Sequence, residues 1–267
     1  MEIRIFNVRH GFCAYVIADT TNVILIDCGY NERTDWSPYK YLYGESRCTG
    51  IEQLVITNSD EDHIADLPNL RQEPIRTLFR NRSLSADQLE ALKREGGPIS
   101  DAMKSLLDLI RTYTGEITTP IDFGGVAEGF FSNPYPTFKD TNNLSLAYFL
   151  HYRNIHILFP GDLESPGWTE LVKRDDFRKE LATVNIFVAS HHGRENGYCK
   201  GVFDYCKPRV VVISDAEHEG NAQVNMYANH ASGIPWSGST KRVLTTWQDG
   251  TIVISQTATG QATITTM

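Results

Sequence analysis

The sequence predicts an α+β fold, with strand-forming and helical segments alternating inside one unit. Three observations carry this reading. Apolar residues alternate or cluster in short runs from Ile3 to Asp27, the period becomes helical between residues 84 and 113, and the strand pattern returns at Leu144. No repeat, low-complexity tract or linker divides the chain, so residues 1–267 are expected to form one domain, with about 84–140 as a helical insertion or cover.

Ile3 to Val8, Ala14 to Ile17 and Asn22 to Asp27 read as three short antiparallel strands, with Thr20 to Asn22 as a turn. Residues 31–50 are polar and aromatic with Pro38 and Gly44, a loop whose tyrosines either line a groove or pack the loop down. Ile51 to Ile56 is the next strand, followed by a short helix over Ile64 to Leu70 and a strand at Ile75 to Phe79. Leu84, Leu89 and Leu92, then Ile99, Met103, Leu106, Leu107 and Ile110, recur at helical spacing on either side of Gly96-Gly97-Pro98. Ser85 and Ser100 suit the N-caps of these two helices. Residues 115–140 are rich in Gly, Pro and aromatic residues and carry no clear period.

L-S-L-A-Y-F-L-H-Y (144–152) and I-H-I-L-F (155–159) are strands joined at Asn154, and Trp168 to Leu181 reads as a helix with Leu171, Val172, Phe177 and Leu181 inward. N-I-F-V-A-S (185–190) and R-V-V-V-I-S (209–214) are strands again. V-L-T-T-W (243–247) and T-I-V-I-S-Q (251–256) flank Asp249-Gly250, a strong hairpin signal.

Hydrophobic content of 41% with 22% charged residues is ordinary for a soluble globular protein, and no apolar run approaches the ~20 residues that span a bilayer. The start, M-E-I-R-I-F-N-V, lacks a basic segment followed by an apolar one, so no secretory signal is expected. Cys13, Cys28, Cys48, Cys199 and Cys206 show no C-x-x-C spacing, which points to reduced thiols in the cytoplasm rather than a disulfide framework or a Cys-type zinc site. A net charge of -8 disfavours broad non-specific adhesion to nucleic acid.

Chemistry concentrates at strand ends. Ile56 is followed by T-N-S-D-E-D-H-I-A-D (57–66), which releases Asn58, Asp60, Asp62 and His63 together. Carboxylates this dense repel one another unless a cation or several donors hold them ionised. The stretch is therefore either part of a metal site or a polar turn in which Asp60 or Asp62 caps a helix. Asp162 follows Pro160-Gly161, His191-His192 precedes Gly193, and Ser214-Asp215 precedes His218, each also at a strand end. Each alone fits a turn, whereas together on one sheet rim they make a site. Asp27, before Cys28-Gly29, either braces a neighbouring loop or starts a turn. His151 and His156 lie inside strands and are assigned to structure.

The order I-D-C-G (26–29), N-S-D-E-D-H (58–63), N-N-L-S-L (142–146), F-P-G-D (159–162), S-H-H-G (190–193), V-V-I-S (211–214) and a final T-I-V-I hairpin resembles the metallo-β-lactamase superfamily. Within it, the likeness is nearest to the hydrolase domain of ComEC-type competence proteins. It runs over nearly the whole chain and is weakest across the helical segment 84–140. The resemblance implies an αββα sandwich, two packed mixed or antiparallel sheets flanked by helices, with metals at one edge. It further implies that Asp62 and His63 bind a second metal, that Asp162 bridges, and that His191 completes the second metal's shell. Asn58 and Asp60 fall where the superfamily has its first two ligands, and Asn143 near the place of another histidine. His230 resembles a late loop histidine that contacts substrate or donates a proton, with His218 competing for the role.

Asn58 departs from the pattern. It makes the first site all oxygen, suited to Mn²⁺, Mg²⁺ or Ca²⁺, while the second keeps imidazole and suits Zn²⁺ or Mn²⁺. One or two divalent ions are expected. Arg194 stands where relatives usually have Ser, and its cation suits a phosphate clamp. The expected chemistry is phosphodiester hydrolysis by a metal-activated water, on nucleic acid, a nucleotide or an oligonucleotide. Asp60 or Asp62 would orient the water, His192 or His230 would protonate the leaving oxygen, and Arg194 would hold a non-bridging oxygen. The expectation is thus a cytoplasmic hydrolase, a nuclease or other phosphodiesterase, with no membrane partner and with a multi-component system as the setting for any protein partner. Asn58 motivates the alternative of a catalytically impaired fold that serves as a binding or sensor module in a larger assembly. Hydrolysis of a β-lactam or thioester ranks lower, because those branches normally keep the histidines missing here, and fold does not fix substrate.

Overall fold

The computed structural model describes residues 1–46, 48–216, 222–257 and 259–267. In chain order its strands are β1 (Glu2–Ile5), β2 (Ala14–Ile17), β3 (Val23–Ile26), β4 (Ile51–Val55), β5 (Ile75–Phe79), β6 (Ala127–Ser132), β7 (Leu146–Tyr152) and β8 (Ile155–Phe159). Then follow β9 (Ile186–Val188), β10 (Val210–Ile213), β11 (Ile234–Trp236), β12 (Ser239–Lys241), β13 (Val243–Thr245), β14 (Ile252–Ser255) and β15 (Thr263–Thr266). The helices are α1 (Glu61–Ile64), α2 (Leu67–Leu70), α3 (Ala86–Glu95), α4 (Asp101–Thr112), α5 (Ser165–Leu171), α6 (Asp175–Leu181), α7 (Val224–Ala228) and α8 (Thr246–Asp249). Among the described residues, seven strands form one sheet in the order β15-β14-β1-β2-β3-β4-β5, six form a second in the order β13-β10-β9-β8-β7-β6, and β11-β12 is a separate hairpin.

Alternation along each strand builds three apolar layers. Ile3, Ile5, Val16, Ile24 and Ile26 of the first sheet pack with Tyr148, Leu150, Ile157, Phe159 and Val212 of the second. The other face of the first sheet, with Leu25 and Leu54, is covered by Leu89, Met103, Leu106 and Ile110 from α3 and α4. Phe149, Leu158, Val211 and Ile213 of the second sheet lie under Trp168, Leu171, Phe177 and Leu181 from α5 and α6. The layer order is helix, sheet, sheet, helix, because both faces of both sheets carry apolar side chains that need cover.

Strand direction then decides where chemistry can gather. β1 and β3 are both antiparallel to β2, and β4 is parallel to β3, so β1, β3 and β4 all end at the same sheet edge. β8, β9 and β10 are mutually parallel and likewise end together.

Several elements differ from the sequence reading. Ser85 and Ser100 do cap α3 and α4, accepting from Gln88 N at 3.2 Å and Met103 N at 3.0 Å. The stretch Trp168 to Leu181 is two helices instead of one. Asp175 and Asp176 sit in the first turn of α6, where negative charge favours a new helix start. Residues 127–132 form β6, paired with β7; Gly129 in its interior erased the strand pattern from the sequence. Asp249-Gly250 is not a hairpin turn. β13 pairs with β10 in one sheet while β14 pairs with β1 and β15 in the other, and Thr245 caps α8 between them through Gln248 N at 3.1 Å. Among the described residues, no helix is long and apolar enough to cross a membrane.

Phe149 is fully buried with Phe131 and Phe177 edge-on at 5.6 Å and 5.7 Å. Phe149→Ala is expected to cost about 3–5 kcal/mol, read as a lower urea midpoint at unchanged slope, whereas a loss under about 1 kcal/mol would contradict this packing.

Candidate metal centre

The strand ends bring Asp62 and His63 from the first sheet against Asp162 and His192 from the second, with one donor atom of each within 4.8 Å of all the others. His63 Nε2 lies 3.1 Å from Asp162 Oδ1, and His192 Nε2 lies 3.1 Å from Asp62 Oδ2 and 3.7 Å from Asp162 Oδ1. Ligands bonded at about 2.0–2.2 Å to one tetrahedral ion stand roughly 3.3–3.6 Å apart. The observed separations are of that size.

Asp27 supports the group from below. Its carboxylate is fully buried and accepts from His63 Nδ1 at 2.8 Å, from Thr57 N at 2.7 Å and from the Thr57 hydroxyl. It therefore braces the neighbouring loop, and it fixes the His63 tautomer so that Nε2 faces Asp162. Burial pushes the Asp27 carboxyl up, opposed by those hydrogen bonds.

The S-H-H-G stretch turns through the left-handed region, with φ of 49° at His191 and 54° at His192. Such backbone is uncommon for a residue with a Cβ and redirects successive side chains. The sequence reading made His191 the ligand and kept His192 as a proton donor. The structure turns His192, and not His191, toward Asp62 and Asp162. His192 Nδ1 donates to the Ser214 carbonyl at 3.1 Å, which aims Nε2 at the cluster, whereas His191 Nδ1 faces Glu164 Oε1 at 3.4 Å.

Asn58 and Asp60 also stand outside the cluster. The Asn58 amide donates to Asn142 Oδ1 and Ser145 Oγ, both at 3.2 Å, and its oxygen accepts from Asp60 N at 2.7 Å. Asp60 sits at the N-cap of α1 without a side-chain capping bond. Its carboxylate is instead paired with Lys93 of α3 and accepts from Thr141 Oγ1 at 2.7 Å. An ammonium and local donors thus satisfy the oxygen-rich half of the motif. Asn143 is likewise structural, its oxygen accepting from Gly167 N at 2.8 Å and its amide donating to Asp140 at 2.9 Å.

His230 is not at the centre. Its ring stacks on Phe203 at 4.1 Å and its Nε2 meets Tyr198 OH at 2.8 Å, over the outer face of the second sheet. His218 lies outside the described residues. His151 and His156 face each other across β7 and β8, Nδ1 to Nδ1 at 2.7 Å, with Glu180 at 2.5 Å from His151 Nε2. Arg194 stands at the mouth, its Nη2 3.4 Å from His10 Nδ1. His10 was missed in the sequence; its Nε2 lies 3.2 Å from Asp62 Oδ2. The only signal was a His-Gly pair soon after β1, at the same edge as Asp27 and His63. Beside it opens a cleft of about 730 Å³ lined by Arg9, His10, Tyr30, Arg33, Glu61 and Asp62.

Electrostatics favour a cation at this point. Burial opposes charge on His63, but Asp162, Asp27 and Asp62 outweigh it and hold the imidazole well above the ordinary histidine range. His192 is raised by the same balance of burial against Asp162 and Asp62. Burial would raise both carboxyls, yet His63 and His192 bring Asp162 down to about 2 and hold Asp62 well below the ordinary range. His192 Nε2 is buried and faces both carboxylates without hydrogen-bond geometry. A cavity of about 10 Å³ lies against His63, Asp162 and His192, on the order of one water's room. Asp62 stands outside that cavity but within 4.8 Å of the other three donors, and two imidazoles with two carboxylates at such separations fit a divalent ion, which would displace the imidazole protons.

No protein-family model and no curated protein matches the chain. Among solved structures, it is similar to the metallo-β-lactamase fold protein YhfI from Bacillus subtilis, with a TM-score of 0.50 and 12% identity over 92% of this chain and 96% of that one. A diphosphatase from the PhnP family aligns with a TM-score of 0.46 and 12% identity over 94% of this chain and 87% of that one. Zn²⁺-bound PqqB from Methylobacterium extorquens aligns with a TM-score of 0.40 and 14% identity over 70% of each chain. The chain has the metallo-β-lactamase fold. At these identities the likeness extends to architecture alone.

Asp60→Asn is expected to leave the metal content unchanged, while Asp27→Ala lowers affinity about 10–100-fold by freeing the His63 ring. Competition against a chelating dye measures both. An ion lost on Asp60→Asn would return that carboxylate to the ligand set.

Proposed function

We propose that this chain is a metal-dependent hydrolase of phosphodiesters, working with one divalent ion, Zn²⁺ or Mn²⁺, held by Asp62, His63, Asp162 and His192. The observation that carries the reading is the convergence of these four side chains beside the open cleft. When bound, such an ion supplies Lewis-acid polarisation of the phosphoryl group and makes water a stronger acid. The rest falls to side chains. Asp27 and the Ser214 carbonyl keep the His63 and His192 rings in the tautomers whose Nε2 atoms face the centre. Arg194, with Arg9 and Arg33 along the cleft, offers guanidinium groups to non-bridging phosphate oxygens. Glu32 and Glu61 share the cleft wall, and the net charge is -8, which favours a nucleotide or short oligonucleotide over a long polyanion. The motif order resembling ComEC-type hydrolase domains supports a substrate derived from nucleic acid. The unpaired cysteines support a reducing compartment such as the cytoplasm.

A second reading, a binding or sensor module in a larger assembly, draws on Asn58 and on the Lys93 pair that occupies Asp60. Turnover separates the two. Protein loaded with Mn²⁺ or Zn²⁺ is expected to hydrolyse bis(p-nitrophenyl) phosphate and dinucleotides. Asp162→Asn and His192→Ala should each lower that activity by at least the roughly 10–100-fold seen when an outer-sphere partner is lost. Metal-loaded protein with no turnover on the whole panel would select the binding module.

A further inference from the structure

We propose that His10 is a fifth protein ligand of the centre, closing it on the side of the cleft; this rests on the metal reading above. The first ground is convergence. His10 Nε2 lies 3.2 Å from Asp62 Oδ2, the same oxygen that His192 Nε2 approaches at 3.1 Å, and the two rings are 4.9 Å apart. Both nitrogens therefore stand beside the one oxygen through which an ion would be held; among the described residues the group within 4.8 Å is Asp62, His63, Asp162 and His192, so ligation by His10 requires its ring to swing inward from the rim. Asp62 and His192 belong to that group, and His10 is the imidazole that borders it on the cleft side.

The second ground is the way the loop is built. Gly11 has φ of 116°, and a Cβ there would collide with the Asp62 carbonyl oxygen, so only glycine lets the backbone come down onto that residue. Phe12 N donates to the same carbonyl at 3.3 Å, Gly29 N donates to Phe12 O at 2.8 Å, and Ser214 Oγ donates to Gly11 O at 2.8 Å. Ser214 is also the residue whose carbonyl orients His192. The backbone next to His10 is thereby tied to both neighbouring ligands, and the three side chains hold a common register. The third ground is composition. With Asn58 and Asp60 in the first motif, that motif contributes a single imidazole, and His10 brings a further one from β1's end of the same edge.

Ligation through Nε2 places the ring proton on Nδ1, which cannot then accept from Arg194. The 3.4 Å contact between His10 Nδ1 and Arg194 Nη2 would then lose its acceptor.

The test uses the full chain loaded with Co²⁺, whose visible absorption reports the donor set. His10→Ala is expected to shift and weaken the visible bands and to lower Co²⁺ and Zn²⁺ affinity by at least as much as the about 10–100-fold cost of losing an outer-sphere partner. His10 is 43% exposed, so the variant should keep its melting temperature in the metal-free form. His192→Ala, measured alongside, should abolish binding. If His10→Ala keeps spectrum and affinity while His192→Ala loses them, the ligand assignment is overturned and the four-residue centre stands. If neither variant changes binding, the centre itself is wrong and the inference falls with it.

Discussion

Charge balance around His63 is the constraint the rest of the structure obeys. Asp27 and Asp162 are buried and Asp62 is partly exposed, and a buried charge without a partner costs several kcal/mol even after relaxation. The fold answers with donors rather than with distance. His63 bridges Asp27 to Asp162, His192 reaches Asp62 and Asp162, and Thr57 gives Asp27 two further hydrogen bonds. The same demand explains Lys93. Asp60 lies two residues from Asp62, and the ammonium carried in by α3 neutralises it locally. One motif is thus split between an Asp62-His63 half facing a centre and an Asn58-Asp60 half closed by the chain's own cation.

Topology makes this economy available. Parallel pairing aligns the ends of β3 and β4, and of β8, β9 and β10, so five loops with ligand-type residues open at one edge without any long excursion. Antiparallel pairing through β2 adds the end of β1 to the same edge. The helical segment that covers the first sheet is more than cover. It holds the motif loop twice, through Lys93 on Asp60 and Ser100 on Glu61 at 2.7 Å.

Much of this was legible in the sequence, for identifiable reasons. Strand alternation and serine caps are local patterns, so most strands and the capped helices α3 and α4 could be read directly, while the layered sandwich was expected from the motif resemblance. Asp62, His63 and Asp162 stood at strand ends in a quoted motif order. What was not legible depends on backbone conformation or on distant partners. That His192 and not His191 faces the cluster turns on two left-handed residues, which no side-chain pattern announces. Lys93 looks like any solvent-facing lysine of an amphipathic helix, and only tertiary packing brings it to Asp60. His10 required knowing that β1 ends beside β3 and β4. Asp27 allowed two readings until its hydrogen bonds decided between them.

The central claim is that one ion belongs to Asp62, His63, Asp162 and His192 and none to Asn58 and Asp60. Anomalous diffraction from crystals soaked in Zn²⁺ or Mn²⁺, collected on either side of the metal edge, tests it most directly. The account predicts a single anomalous peak enclosed by those four side chains, with Lys93 still on Asp60. A peak against Asn58 and Asp60, or none between His63 and His192, would contradict it.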